Sequence, residues 1–280
     1  MNKVLVRILL FFLGLPLLLG LAMWDWMNHL PLALLAVAVS SLGAGETAGL
    51  LRTKGQVMNP YLPYWLGGLF PALAYLENLG WLKTDQSLLI IAILMVAVLV
   101  RQIFANTEEN LQPVLGKVTG ILFSLMYPGF FVYFIVKLAS LPPAWLVLPV
   151  FLSATFANDA WAWLFGSLFG RHSPKPFLVS PSKSLIGFVG GMAATVLVLT
   201  VVFWGFPGLL GSSLLGVLIF ALVLGLTTIL GDLFESSLKR SAGVKDSGTI
   251  IPGRGGVLDS IDSLLFSAPV FYLFLQYGRF

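Results

Sequence analysis

Four aspartates, Asp232, Asp246, Asp259 and Asp262, alternate with four bases, Lys239, Arg240, Lys245 and Arg254, between Gly231 and Ser263. With Glu235 these make nine charges in one short stretch of a chain that is only 10% charged. Carboxylate oxygens are the natural ligands of hard divalent cations such as Mg²⁺, which keep several waters and bind substrate phosphates as well. The turn GTIIPGRGG, residues 248–256, lets backbone amides come close to phosphate oxygens. Lysine and arginine neutralise the remaining phosphate charge. The order of acids, glycines and bases therefore reads as a divalent-metal and phosphate site. No Gly-x-x-x-x-Gly-Lys-Ser/Thr loop is present, so a P-loop nucleotide site is not indicated.

Each charge also has a plainer account. Asp259 and Asp262 open an apolar run, where a helix dipole favours acids. Glu235 and Lys239 stand at i, i+4 and would form a surface pair worth ~0.3–0.5 kcal/mol. Taken together, these accounts leave unexplained why four aspartates and four bases meet around one glycine-rich hinge.

The elements that must position this segment are apolar helices. Hydrophobic residues make up 58% of the chain and the mean hydropathy is +0.94, far from a soluble composition. Nine apolar stretches recur, at 4–22, 30–51, 62–80, 87–105, 117–139, 143–165, 185–206, 209–231 and 257–276. In a bilayer the backbone must satisfy itself, which makes these spans helices and the fold all-α and polytopic. The short connections predict one transmembrane domain over 1–280, with helices alone in 1–140 and the charged loops in 141–280. The N-terminus resembles a signal peptide but lacks a small-x-small cleavage site, so it is expected to remain as a first helix kinked at Pro16. There is no cysteine, which rules out disulfides and thiolate metal sites.

The basic residues orient the chain. With the N-terminus inside, Lys3, Arg7, Arg52, Lys54, Arg101, Lys117, Arg171, Lys175, Lys183, Lys239, Arg240, Lys245 and Arg254 fall on one side. Only Lys83, Lys137 and Arg279 fall on the other. This asymmetry predicts an N-in, C-out arrangement in the inner membrane, with the charged segment facing the cytoplasm. The bases sit at helix ends, in anchoring positions, and do not form a nucleic-acid-binding stripe.

The residues Ser237-Leu238-Lys239-Arg240, then Lys245-Asp246-Ser247-Gly248, Pro252-Gly253-Arg254-Gly255-Gly256, Asp259 and Asp262 resemble the phosphatidate cytidylyltransferase (CDP-diacylglycerol synthase) signature. Asn158-Asp159-Ala160-Trp161-Ala162-Trp163, continuing to Gly166 and Phe169-Gly170-Arg171-His172, is similar to that family's acidic-aromatic segment. Ser180-Pro181-Ser182-Lys183-Ser184, followed by Gly187 and Gly190-Gly191, resembles its Ser-Pro-Lys motif. The resemblance is detailed in the C-terminal half only. Arg254 stands where the family usually has His, Ser260 where it has Arg, and Ile186 where it has Glu. Ala160 and Ser167 replace a hydroxyl and a base.

The resemblance implies a reaction of CTP with phosphatidic acid in the membrane, giving CDP-diacylglycerol and pyrophosphate, with Mg²⁺ as cofactor. On that reading Asp232 and Asp259 hold the Mg²⁺, with Asp262 and Asp246 as further carboxylates. Lys239, Arg240, Lys245 and Arg254 face the triphosphate, across the loop of Gly253, Gly255 and Gly256. Lys183, beside Ser180 and with Arg171, meets the lipid phosphate. Asp159 is either a third metal-side acid or a nucleoside contact. A monovalent cation beside the divalent one, and a homodimer, are left open. Glu46, inside the second apolar stretch, either pairs between helices or lines a polar cavity. The rival functions are other CTP-using membrane enzymes, such as a polyprenol kinase or an archaeol-type cytidylyltransferase, and an anion transporter. A transporter would place its charges and broken helices near the bilayer midplane.

Overall fold

The computed structural model describes residues 13–53, 61–104 and 114–278. Lys3, Arg7, Lys54 and Arg279, counted above for orientation, lie outside them. The described residues form helices and contain no strand beyond an isolated bridge between Ile251 and Gly255. In chain order the α-helices are α1 (Leu15–Met23), α2 (Leu30–Arg52), α3 (Leu62–Gly67), α4 (Leu69–Asn78), α5 (Thr84–Val100), α6 (Val114–Leu125), α7 (Phe131–Leu138), α8 (Ala144–Phe169), α9 (Leu185–Gly205), α10 (Leu214–Ala242) and α11 (Leu258–Tyr277). A π-turn at Met126–Phe130, carrying Pro128, joins α6 to α7, and such wide turns absorb a residue that an α-helix cannot place.

Among the described residues, six helical segments are long and apolar enough to cross a membrane: Leu30–Arg52, Thr84–Phe104, Val114–Leu138, Leu185–Gly205, Leu214–Ala242 and Leu258–Tyr277. The other three predicted spans differ from this pattern. The run at 4–22 begins outside the described residues. Helix α8 has 26 residues, but the polar pair Asn158 and Asp159 lowers its hydropathy. The run at 62–80 is not one helix, because it turns at Gly68. A Cβ there would lie 2.6 Å from Ser41 Oγ and 2.9 Å from Val37 Cγ1. The break falls where Pro71 has no N–H to give the Gly67 carbonyl, which accepts from Ser40 Oγ of α2 at 2.6 Å instead.

The core lies where α7, α8, α10 and α11 meet, around Phe151, Phe271, Leu148 and Leu224. Phe220 and Phe274 stack with ring centroids 3.7 Å apart. Helix α5 stands apart from this core, with Ser87 its one buried residue.

Two close helix contacts set the position of the charged segment. Gly187, Gly190 and Gly191 line the face of α9 against α8, where added Cβ atoms would meet Ala162 O, Phe165 and Asn158 O at 2.7, 2.6 and 2.8 Å. Small residues allow such approach between membrane helices. Asn158 seals the junction by donating to Thr195 Oγ1 at 2.9 Å and to Gly225 O at 3.4 Å. It ties α8, α9 and α10 together one residue before Asp159. On the other side, a Cβ at Gly231 would lie 2.5 Å from Asp262 O, so α10 and α11 nearly touch beside Asp232.

Candidate active site

Helix α10 has 29 residues and so runs about 44 Å, beyond the ~30 Å of a hydrocarbon core. Its last turns carry Asp232, Glu235, Lys239 and Arg240. It stops at Gly243, whose φ of +75° is the left-handed cap that terminates helices. Residues 244–257 then return the chain to α11. Within this return, Ile251 N and Gly255 O are 2.8 Å apart, and Gly255 N and Ile251 O are 3.0 Å apart. The turn this closes has Gly253 at φ +75° and Gly255 at φ +116°, conformations that L side chains rarely adopt. Arg254 is carried, exposed, between these two glycines.

The charges divide into two neighbouring groups. In the first, the Lys239 ammonium pairs with Glu235 and, at 2.5 Å, with Asp259 Oδ1. Asp259 Oδ2 accepts from Ser247 N at 2.8 Å, Ser247 Oγ at 2.9 Å and Gly256 N at 2.7 Å. Every Asp259 oxygen is therefore occupied. Glu235 is 0% exposed, which corrects the expectation of a surface Glu235–Lys239 pair. The i, i+4 spacing is as expected, but the pair is buried and Asp259 is its third member.

In the second group, Asp262 in α11 lies within electrostatic reach of Asp232, Asp159 and Glu235. Ser263 bridges two of these acids: its N–H donates to Asp262 Oδ1 at 2.7 Å and its hydroxyl to Asp159 Oδ1 at 3.1 Å. Lys183 pairs with Asp232, and both side chains are more than a quarter exposed, so this group opens to solvent. Lys183 and Arg254 both act electrostatically on Asp159. Three carboxylates thus face one paired lysine and one arginine.

The other predicted residues surround this opening. Ser180 is buried, and its carbonyl accepts from Lys183 N at 3.1 Å, so the Ser-Pro-Lys turn fixes the base of Lys183. Arg240 donates from Nε to Val179 O at 3.3 Å and clips this turn to α10. Arg171, Lys245 and Asp246 are exposed, and among the described residues Lys245 and Asp246 have no ion-pair partner. The structure brings Asp159, Asp232, Asp262 and Lys183 together and sets Asp259 and Lys239 behind them. Glu46, Ser247 and Ser263 belong to the same framework and were missed as site residues. The one sequence signal for Glu46 was an acid within an apolar helix.

The donor set around Asp159, Asp232 and Asp262 is hard oxygen with excess negative charge, which suits Mg²⁺. Among the described residues no three acidic or histidine side chains are grouped to hold a metal ion; an ion here would take one or two of these carboxylates and fill the rest with water and phosphate.

Comparison with known proteins covers the same region and more. The profile of the "Cytidylyltransferase family" matches residues 5–278. The chain is 35% identical over 159 residues to the phosphatidate cytidylyltransferase of Aquifex aeolicus, covering 56% of this chain and 57% of that protein. It is 40% identical over 129 residues to the phosphatidate cytidylyltransferase of Staphylococcus haemolyticus, covering 46% and 48%. An uncharacterized Escherichia coli protein, YnbB, is 40% identical over 132 residues, covering 47% and 43%. The chain spans about half the length of the curated relatives it matches. With a family profile matched almost from end to end, the chain belongs to the cytidylyltransferase family.

Proposed function

We propose that this protein is a membrane nucleotidyltransferase that converts CTP and phosphatidic acid to CDP-diacylglycerol and pyrophosphate. The observation that carries the reading is the acidic group of Asp159, Asp232 and the buried Asp262, which opens to solvent at Asp232 and Lys183, with Arg254 acting on it electrostatically. Relatives named phosphatidate cytidylyltransferase support the choice of substrates. The excess of Lys and Arg on one side of the predicted spans supports an odd number of spans with N-in, C-out orientation, which puts this opening beside cytoplasmic CTP.

The chemistry asks little of a general base. The lipid phosphate is a monoester whose second pKa is ~6 for phosphorylated groups generally, so it is largely ionised near pH 7. An oxygen of that phosphate attacks the α-phosphorus of CTP. The new P–O bond replaces the bond to the bridging oxygen, which departs with pyrophosphate. The barrier is the approach of two anions, so catalysis consists of alignment and charge neutralisation.

Asp232 and Asp262, with Asp159 beside them, would hold the Mg²⁺, which when bound neutralises phosphate charge. This differs from a metal shared by Asp232 and Asp259, because the oxygens of Asp259 are already occupied. Lys183 is placed to exchange Asp232 for the lipid phosphate, at the rim where a headgroup can reach it. Arg254 and the exposed Lys245 and Arg240 face the polyphosphate. Lys239 acts from behind by fixing Asp259 and Glu235.

The test uses purified full-length protein with labelled CTP, phosphatidic acid and Mg²⁺. CDP-diacylglycerol and pyrophosphate are expected as products, and Asp232→Ala and Asp262→Ala are each expected to lose about 10²–10³-fold in rate. Release of CDP in place of pyrophosphate would identify a kinase. Full activity in both variants would sink the carboxylate assignment.

A further inference from the structure

Glu46 lies inside α2, is 6% exposed, and takes no part in the chemistry described above. Its carboxylate is nevertheless fully used. Oε1 accepts from Val257 N at 2.9 Å, and Oε2 accepts from Leu258 N and from Ser247 Oγ, each at 2.8 Å. The first two donors are unsatisfied amides at the start of α11, where Val257 supplies no side-chain cap. A residue more than 200 positions earlier therefore caps this helix. The third donor, Ser247, has one hydroxyl proton, within reach of both Glu46 Oε2 and Asp259 Oδ2, while its amide holds Asp259 independently.

The surroundings are built tightly around this carboxylate. A Cβ at Gly248 would lie 2.5 Å from Glu46 Oε1, and one at Gly256 would collide with both Ser247 Oγ and Glu46 Oε2. Two glycines of the phosphate-loop sequence thus have a second reason to be glycine: they leave room for Glu46.

We infer that Glu46 is a positioning residue, which locks the return loop 244–257 and the first turn of α11 so that Asp259 and Asp262 stand in register with Asp232. It touches neither substrate nor reacting atoms. Its effect passes through Ser247 to Asp259, and through the first turn of α11 to Asp262 and Ser263. The consequence for catalysis rests on the proposed cytidylyl transfer; the consequence for the loop does not.

The decisive variant is Glu46→Gln. One terminal atom of glutamine is an NH₂ group, so either the Val257 amide or the Leu258 amide meets a donor in place of an acceptor. Two measurements are made on the purified full-length protein. The first is steady-state CDP-diacylglycerol formation with CTP and phosphatidic acid varied in turn. The second is amide hydrogen exchange, read on peptides covering 244–262 and compared with the rest of the chain. The expected result is a fall in kcat of about 10- to 100-fold, as small misplacements produce, with each KM within about threefold. Faster exchange should be confined to 244–262. Gly248→Ala should reproduce both effects, and combining it with Glu46→Gln should add little, since both break one contact.

If Glu46 only ties helices together, Glu46→Gln lowers the unfolding temperature while kcat and the exchange of 244–262 stay as in the unaltered protein. That outcome overturns the inference. If the unaltered protein makes no CDP-diacylglycerol, the proposed function fails, and the exchange measurement still decides the role of Glu46.

Discussion

Removing the Lys239 ammonium while keeping its length, as in Lys239→Met, isolates what this buried cation does. Glu235 and Asp259 both pair with it, but they do not depend on it equally. Asp259 keeps donors from Ser247 N, Ser247 Oγ and Gly256 N. Glu235, fully buried, has no further hydrogen-bond partner for either oxygen. Leaving one member of a buried pair uncompensated costs about 3–5 kcal/mol, and nearly all of it should fall on Glu235. Adding Glu235→Gln removes the orphaned charge, so the double variant should recover roughly 2–3 kcal/mol, within the range of measured couplings between touching residues. At ~1.4 kcal/mol per tenfold, this is well over a tenfold difference in equilibrium. The assay is equilibrium unfolding in mixed detergent and SDS micelles, followed by the fluorescence of the eight tryptophans. A double variant no more stable than Lys239→Met would refute this partition and shift the dependence to Asp259.

Two further outcomes follow from the same geometry. Lys183→Ala should raise KM for phosphatidic acid more than KM for CTP, since Lys183 sits at the rim on Asp232; kinetics with each substrate varied would show the reverse pattern if Lys183 served the nucleotide. Gly231→Ala inserts a methyl where α10 lies against the Asp262 carbonyl; the expected destabilisation is about 1–3 kcal/mol, read in the same unfolding assay, and an unchanged midpoint would show that the two helices separate freely.

The helical fold and the site were legible in the sequence to different depths. Apolar runs near bilayer length gave the helices, because length and hydropathy are local properties. The break in 62–80 has one local signal, Pro71, which cannot donate to the Gly67 carbonyl; the close approach of Gly68 to Val37 and Ser41 on another helix was not visible. The residues of the site were readable from their types and order, yet their pairing was not. Asp232 and Asp259 carry the same group and were assigned one role. Packing separates them, turning Asp259 toward Lys239 and Ser247 and leaving Asp232 beside Lys183. Glu235 with Lys239 shows the same limit: i, i+4 spacing brings two charges together but does not say whether water reaches them. Glu46 drew notice as a buried acid, but its partners are more than 200 residues away, where no spacing rule extends.

The bond from Glu46 to the start of α11 also sets an order of events during synthesis. Chains grow at about 5–20 residues per second, so roughly 10–40 s separate the making of Glu46 from that of the amides it accepts. Through that interval the second helix carries an acid whose donors do not yet exist. Helix α11, made that much later, is the one that satisfies it, so the acidic site is completed only after α11 has been made.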